Sequence, residues 1–454
     1  MAITKISAYA DLDSESRCDA EHITAPILIK ENYWIGRDVI SFSQYGTSKA
    51  LNEHGKGFSV LRLNEFENMF IKSPEKCCDL INEKTYRELK LSKGDVLICR
   101  TNGNPDLVGK AAVVMEDTDC AFASYVFKVR TNSRISPQVL AVYLNSKYGR
   151  SEIKRHQMIS IQTNFSPERF KKCHVPYLSP EFQKEINDLV DKAYVSVKRA
   201  KELYFESEKI LSLELKLDGF ASSNKKISVR TMVDSFQVSN RIDAEYYQEI
   251  YDDYAALISD YHYGTKSISK TLQINDKNYV PKDKAMYRYI ELANVGAFGE
   301  INGCIEDIGL NLPSRARRLI KKGDVIVSSI EGSLQSCALI TDEYDNTICS
   351  TGFHVIKSKD INSETLLVMF KSKAIQSLLK KGCSGTILTA ISKAELEKIE
   401  LPIINDKIQK KISSLIKESF MLRNESRSLL TKAKQAVEIA ISEGEKKAMK
   451  FLNT

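Results

Sequence analysis

The sequence lacks the paired cysteines that build most structural zinc sites. Ten cysteines are scattered over 454 residues; Cys77 and Cys78 are adjacent, the others stand alone, and no Cys-x-x-Cys pair occurs. Because a zinc site usually takes its ligands in pairs at short spacing, we predict no metal site. We also find no secretory leader, and unpaired thiols fit a reducing compartment, so a cytoplasmic location is expected.

Long apolar runs are absent as well. No stretch approaches the roughly 20 residues needed to cross a bilayer, so no membrane association is expected. Lys and Arg number 66 against 59 for Asp and Glu, a formal net charge of +7. This excess is compatible with binding to a polyanion but does not require it.

The motifs of three enzyme classes are missing. The segment 103–110 has five residues between its glycines, where a phosphate-binding loop needs four, and Ala111 stands where Ser or Thr would hold magnesium. Asn104-Pro105-Asp106-Leu107 lacks the second proline and the aromatic residue of a methyltransferase motif, and Asp106 has no Glu-x-Lys partner of the nuclease kind. The six histidines are isolated along the chain. We therefore predict no catalytic residue and no cofactor in this chain.

What the sequence does contain is one long internal repeat. Arg17–Glu21 reads RCDAE, and Arg241–Glu245, 224 positions further on, reads RIDAE. Lys93–Val96 and Lys322–Val325 both read KGDV, at an offset of 229. Looser matches in the same order join 60–64 with 289–293 and 174–186 with 400–412. A nearly constant offset that drifts by only about five residues, as loop insertions would cause, indicates a duplicated whole domain.

Each half predicts a mixed α/β domain with a β core. Short runs rich in Val, Ile, Phe and Tyr, bounded by turn residues, favour strands. These runs are 58–63, 96–99, 111–115, 125–129, 287–292, 325–327, 338–341 and 354–356. Helices are predicted at 136–147 and 363–380.

Each half then ends in a long amphipathic segment whose apolar residues recur every three or four positions. Such a stripe favours a partner helix, so the two segments are predicted to form an antiparallel coiled-coil pair; the alternative is that each packs on its own domain. The predicted interface positions are Ile186, Val190, Val197, Leu203, Ile412, Ile416, Leu429 and Val437. The resulting domains are 1–180 and 219–404 for recognition, with long helices at 181–218 and 405–454.

This ordered pattern resembles the specificity subunits of type I restriction–modification enzymes over essentially the whole chain. The markers are the two RxDAE segments, the two GDV turns, QYGTSKA at 44–50, and the lead segments 174–186 and 400–412. Two features depart from the family: the second lead has a single proline, and the second half has no QYGTSKA match. The resemblance implies two target recognition domains, each reading one half of a split site on double-stranded DNA.

The resemblance further implies that the helices set the spacer and dock two methyltransferase (modification) subunits, which restriction/motor subunits join. S-adenosylmethionine, ATP and Mg would then be held by those partners only. Two alternatives stay open: a two-ended scaffold without a DNA role, and the recognition subunit of another phage-defence system. The scaffold predicts no affinity for duplex DNA.

Candidate DNA-binding residues lie in polar loops after strands. Arg hydrogen-bonds guanine, Asn and Gln hydrogen-bond adenine, and Glu can accept from cytosine, whereas Lys, Arg, Ser and Thr also bind phosphates. The first-domain candidates are Arg100, Thr101, Asn102, Asn104, Ser48, Lys49, Gln162, Thr163 and Asn164. The second-domain candidates are Ser329, Glu331, Ser333, Arg315, Arg317, Arg318 and Thr386, the last aligned with the Thr163 region.

Overall fold

The computed structural model describes residues 22, 25–158, 162–221, 227–237, 239–385 and 388–453. The first RxDAE copy, at 17–21, lies outside them. The chain divides into unit 1, Met1–Val197 with Arg423–Thr454, and unit 2, Lys198–Leu422. Each unit thus combines a globular segment with parts of both long helices. The finer boundaries at 180, 218 and 404 stay a prediction.

Unit 1 is built on a four-stranded antiparallel sheet in the order β2-β11-β7-β9, beside a three-stranded sheet β10-β3-β6 and the pairs β1-β13, β8-β12 and β4-β5. The strands are β1 Tyr33–Ile35, β2 Ile40–Tyr45, β3 Phe58–Leu61, β4 Phe66–Glu67, β5 Phe70–Ile71, β6 Lys76–Cys78, β7 Val96–Cys99, β8 Thr101–Asn102, β9 Ala111–Val113, β10 Cys120–Phe122, β11 Val126–Thr131, β12 Thr163–Asn164 and β13 His174–Pro176. The helices are α1 Gly36–Val39, α2 Glu83–Leu89, α3 Pro137–Asn145, α4 Lys147–His156, α5 Pro167–Phe170 and the start of α6 Pro180–Glu214.

Unit 2 has two four-stranded sheets, β15-β22-β19-β20 and β17-β16-β21-β18, with the pairs β14-β25 and β23-β24. The strands are β14 Thr265–Ser267, β15 Leu272–Asn275, β16 Met286–Ile290, β17 Ile305–Ile308, β18 Ala316–Ile320, β19 Val325–Ser328, β20 Cys337–Leu339, β21 Thr347–Ser350, β22 Phe353–Ser358, β23 Cys383–Ser384, β24 Ala390–Ile391 and β25 Glu400–Pro402. The helices are α7 Glu249–Ser259, α8 Ile268–Thr271, α9 Ser363–Lys371, α10 Lys373–Lys381, α11 Lys393–Lys398, α12 Asp406–Glu443 and, within unit 1, α13 Glu445–Leu452.

The two GDV copies form the same tight turn. Gly94 and Gly323 have φ of +89° and +83°, a backbone region in which glycine carries no steric cost. The carboxylate of Asp95 accepts a hydrogen bond from the backbone N–H three residues earlier at 3.0 Å, and Asp324 does so at 2.8 Å. These motifs therefore shape the backbone before β7 and β19.

A buried glutamine begins each long helix in the same way. Gln183 accepts from the backbone N–H of Ser136 at 2.9 Å and donates to two main-chain carbonyls. Gln409 accepts from the N–H of Asn362 at 2.7 Å and also donates to two carbonyls. Because the two glutamines make the same set of hydrogen bonds, the structure supports the duplication of the domain.

In unit 1 the long helices run antiparallel. Ser179 contacts Glu445 at one end, and Ser196 contacts Glu425 at 3.1 Å further along. The eight predicted interface positions are buried or partly buried within the two units. They hold the helices inside this chain, so a partner subunit would have to dock on other residues.

Three predicted helices end earlier than expected. Residues 405–454 form two helices, because Gly444 breaks the run with φ of +91°. The predicted helices 136–147 and 363–380 are interrupted at Ser146 and Ser372, whose hydroxyls cap a second helix. A serine that caps a new helix has extended backbone torsions, so the first helix cannot continue through it.

Candidate nucleic-acid interface

Two loops that are far apart in the first half of the sequence lie side by side in unit 1. Strand β8 pairs with β12 in an antiparallel register that places Thr163 opposite Asn102 and Asn164 opposite Thr101. The amide of Asn164 donates to the hydroxyl of Thr101 at 2.9 Å. Because adjacent strands bring polar side chains together, Thr101, Asn102 and Gln162 border one cleft of about 510 Å³, whereas Thr163 and Asn164 are not part of its lining. Its lining is Arg62, Leu63, Asn64, Arg100, Thr101, Asn102, Gly103, Ser124, Tyr125 and Gln162.

Arg100 is held in position at this cleft. Its guanidinium lies 4.7 Å from the ring centre of Tyr45, and Nη1 donates to the carbonyl of Ser124 at 3.1 Å. The buried Nε has no hydrogen-bond partner among the described residues. Stacking and one hydrogen bond preorganise the planar fork that recognises guanine or phosphate.

The cleft also contains residues that sequence reasoning missed. Arg62 lies beside Arg100 in the lining, and its guanidinium donates to Glu65 at 2.5 Å. That hydrogen bond raises the pKa of Arg62 above its ordinary value. Asn64, Ser124 and Tyr125 complete the polar wall. The available signal was the match of 60–64 with 289–293, which marked a common element without showing that it faces the cleft.

Other first-domain candidates are partly engaged in turns. The side-chain oxygens of Asn102 and Asn104 accept backbone N–H bonds at 2.8 and 3.0 Å. Their amide oxygens therefore shape the loop. Ser48 and Lys49 are exposed and follow Thr47, which bridges to Ala123 next to the cleft wall.

Unit 2 repeats this backbone arrangement around Ser329. The N–H of Ser329 donates to the carbonyl of Gly352 at 2.9 Å, as that of Arg100 donates to Tyr125 at 2.8 Å. The N–H of Ile391 donates to the carbonyl of Ser329 at 2.8 Å, as that of Phe165 donates to Arg100. The loops that begin at Arg100 and Ser329 are thus structurally equivalent, while their side chains differ.

The polar groups of the unit 2 loop bind one another. The carboxylate of Glu331 accepts a hydrogen bond from the Thr389 hydroxyl and lies 4.0 Å from Nζ of Lys380. Ser333 shares a hydrogen bond with Ser328 at 2.9 Å. Since the N–H of Glu331 bonds the carbonyl of Thr389, Thr389 is the counterpart of Thr163, and the sequence alignment with Thr386 is corrected. Thr386 itself lies outside the described residues.

The three arginines of unit 2 at 315, 317 and 318, called the arginine cluster, differ in their contacts. Arg318 donates to the carbonyl of Asp276 and, at 2.7 Å, to Asn278. Arg317 donates to the carbonyl of Ser314 at 3.0 Å. Arg315 is exposed, and no hydrogen bond or ion pair of its guanidinium is found within the described part of the chain. Its carbonyl accepts from Thr351, next to the Gly352 that binds Ser329. Arg315 is therefore the cluster's best-placed residue for an external anion.

The histidines are not all isolated in space. His156 and His174 flank the buried Glu152, at 3.6 and 3.9 Å between nitrogen and carboxylate oxygen. The ring of His22 lies 6.2 Å from that of His156 between centroids. Local sequence pattern does not reveal this cluster, because His22 and His174 are distant in sequence from the helix that holds Glu152 and His156.

Comparison with known proteins shows that part of the chain is similar to a protein family. Residues 264–427 match the family described as type I restriction modification DNA specificity domain. A curated relative, the type I restriction enzyme StySPI specificity subunit of Salmonella potsdam, is 27% identical over 112 residues, 25% of this chain and 24% of the relative. The match thus spans about a quarter of that relative's length.

Solved structures described as subunits of the same kind of system align with this chain at low sequence identity. The type I restriction–modification S subunit from M. genitalium aligns over 93% of this chain and 96% of its own, with 10% identity and a TM-score of 0.39. The HsdS subunit from Thermoanaerobacter tengcongensis aligns over 91% and 97%, with 12% identity and a TM-score of 0.29.

In the described residues, no helix is both long and apolar enough to cross a membrane. The matched segment 264–427 contains the GDV turn, the Ser329 loop and the buried Gln409, which all have counterparts in unit 1. The family resemblance of the sequence is confirmed over residues 264–427, which match the type I restriction modification DNA specificity domain.

Proposed function

We propose that the chain is the non-catalytic specificity subunit of a type I restriction–modification system and reads a two-part DNA sequence, one half with each unit. The observation that carries the proposal is the loop that occurs in both units, beginning at Arg100 in unit 1 and at Ser329 in unit 2. Arg100 and Ser329 occupy equivalent backbone positions. Each is bonded to the residue immediately before β11 or β22, and to the residue that follows β12 or ends β24. One scaffold that presents Arg-Thr-Asn in one copy and Ser-Ile-Glu in the other suits recognition of two different half-sites.

The side chains suggest how each half-site would be read. Arg100, fixed over Tyr45, offers a fork for the O6 and N7 atoms of guanine. Gln162 is exposed at the same cleft and suits adenine. Glu331 has acceptor capacity beyond its bond to Thr389 and suits the amino group of cytosine. Arg315, Lys49 and Ser48 are proposed to bind phosphates.

The long helices are proposed to set the spacer and to dock two methyltransferase subunits. Apolar side chains that remain exposed on them favour this role: Val195 and Leu213 on α6 and Met421 on α12 are 65%, 56% and 63% exposed. Exposed apolar groups on a helix favour contact with another protein. In this proposal S-adenosylmethionine, ATP and Mg belong to the methyltransferase and restriction/motor subunits, and this chain holds none of them.

The test is to co-express the chain with the methyltransferase subunit encoded beside it and to map methylated bases across a bacterial genome by single-molecule sequencing. We expect a split motif, two short halves around a fixed gap. Replacing residues 1–180 by those of another specificity subunit should change one half only.

The outcome also separates the alternatives. A complex that forms but leaves no new methylation would favour another phage-defence system. No complex and no affinity for duplex DNA would favour the scaffold and overturn the proposal.

A further inference from the structure

A compact set of metal-ligating side chains is buried in unit 1, away from the proposed DNA cleft. Glu152, His156 and Cys173 are 2%, 7% and 1% exposed. One potential ligand atom from each lies within 4.8 Å of the other two. Glu152 and His156 are one helical turn apart on α4, while Cys173 directly precedes β13.

The contacts of Glu152 leave part of its carboxylate unsatisfied. One oxygen accepts from the backbone N–H of His174 at 3.0 Å. The other, Oε1, has no hydrogen-bond partner within the described residues, although it is buried. An orphaned buried carboxylate oxygen is costly unless a cation or a donor satisfies it. Burial also raises the pKa of the Glu152 carboxyl and of the Cys173 thiol, which a nearby dication would reverse.

Unit 2 shows that the fold itself does not need these polar groups. Ser146 and Ser372 cap α4 and α10, and β13 and β25 pair in the same register with β1 and β14. Counting from these shared points, the counterparts of Glu152, His156 and Cys173 are Leu378, Gly382 and Ile399. Leu378 and Ile399 are buried apolar residues, and together with Gly382 they line a cleft of about 490 Å³ in unit 2. A function specific to unit 1 therefore explains the polar set better than folding does.

We infer that Glu152, His156 and Cys173 bind a transition metal ion of the zinc class in unit 1. Carboxylate oxygen, imidazole nitrogen and thiolate sulfur are the ligands that zinc accepts, at about 2.0–2.3 Å, so a modest inward shift of the side chains closes the site. When the sulfur–metal bond forms, the Cys173 thiol releases its proton to solvent.

His22 and His174 are neighbours of this site. The Nδ1 atoms of both rings hydrogen-bond main-chain carbonyls, of Arg155 at 2.8 Å and of Ile29 at 3.1 Å. Neither ring is one of the three proposed ligands.

The test is to purify the full chain, remove metal with a chelator, and titrate it with Zn²⁺ and Co²⁺. We expect one equivalent of zinc by mass spectrometry of the metal content. Bound Co²⁺ should give the near-ultraviolet charge-transfer band of a thiolate ligand. Cys173→Ser should abolish the band, whereas Cys383→Ser, which alters a buried thiol of unit 2, should leave it unchanged.

A second variant keeps the inference testable if Cys173→Ser fails to fold. The triple change Glu152→Leu, His156→Gly and Cys173→Ile installs the three residues that stand at these positions in unit 2, so it should fold and bind no metal at this site. Failure of the wild-type chain to bind either ion would overturn the inference, as would a full equivalent of metal retained by the folded triple variant. DNA recognition is not measured in either case, so the outcome is independent of the proposed function.

Discussion

Arg100 is the single residue on which DNA recognition by unit 1 most depends. Its guanidinium is stacked on Tyr45 and hydrogen-bonded to the carbonyl of Ser124, so the side chain loses little conformational entropy when it binds a base. A bidentate contact to guanine discriminates by about 1–3 kcal/mol, so Arg100→Ala should weaken binding to the cognate duplex about 5- to 150-fold. Fluorescence anisotropy with the mapped site measures this loss.

The matched control is Arg87→Ala. Arg87 is an exposed arginine of α2 that pairs with Glu83 at 2.9 Å. Its replacement removes the same charge from the same unit and should leave the affinity nearly unchanged. Equal losses for both variants would mean that only net charge matters and that Arg100 reads no base.

His354 makes the stability of unit 2 depend on pH. Burial lowers the pKa of its ring, which bonds the carbonyl of Ile391 at 3.0 Å. Below about pH 6.5 the unfolded chain gains a proton that the folded chain resists, so stability is lost as the pH falls, by at most about 1.4 kcal/mol per pH unit. Urea unfolding between pH 5 and 8 should show this slope.

The repeat supplies the variant that removes the effect. Phe127 of β11 occupies the position of His354 in β22, opposite Ile98 as His354 is opposite Val327. His354→Phe should therefore flatten the profile, while His262→Phe at an exposed position should not. An unchanged slope in His354→Phe would assign the pH dependence to other groups.

At the scale of the element, helix pairing should dominate stability. Ile416 on α12 is fully buried in the core of unit 2, where Ser419 also donates to the carbonyl of Ala200 at 2.7 Å. Ile416→Ala leaves a cavity and should cost about 2–5 kcal/mol of unfolding free energy. Met421→Ala on the same helix should cost under about 0.5 kcal/mol, because Met421 is 63% exposed. Similar losses for both would argue against this packing.

The elements also show what could be predicted from sequence. The strands around 96–99 and 325–327 and the long helices were predictable because their apolar periodicity and turn residues are local signals. The breaks at Ser146, Ser372 and Gly444 were not, since helical periodicity continues across them and only the cap geometry ends the helix. The pairing of β8 with β12, which assembles the candidate cleft, is a long-range contact that no local pattern encodes.

At the scale of the whole molecule, DNA binding should depend on salt through phosphate contacts. Each neutralised phosphate contributes a slope of about −0.9 to a plot of log affinity against log salt concentration. Arg315 is exposed beside the Ser329 loop, so Arg315→Ala should reduce the slope by about 1. Arg318→Ala removes an arginine that is bonded to Asp276 and Asn278, so it should lower stability and keep the slope. If Arg318→Ala changed the slope and Arg315→Ala did not, Arg318 would be the arginine that contacts a phosphate, and the role proposed for Arg315 would be wrong.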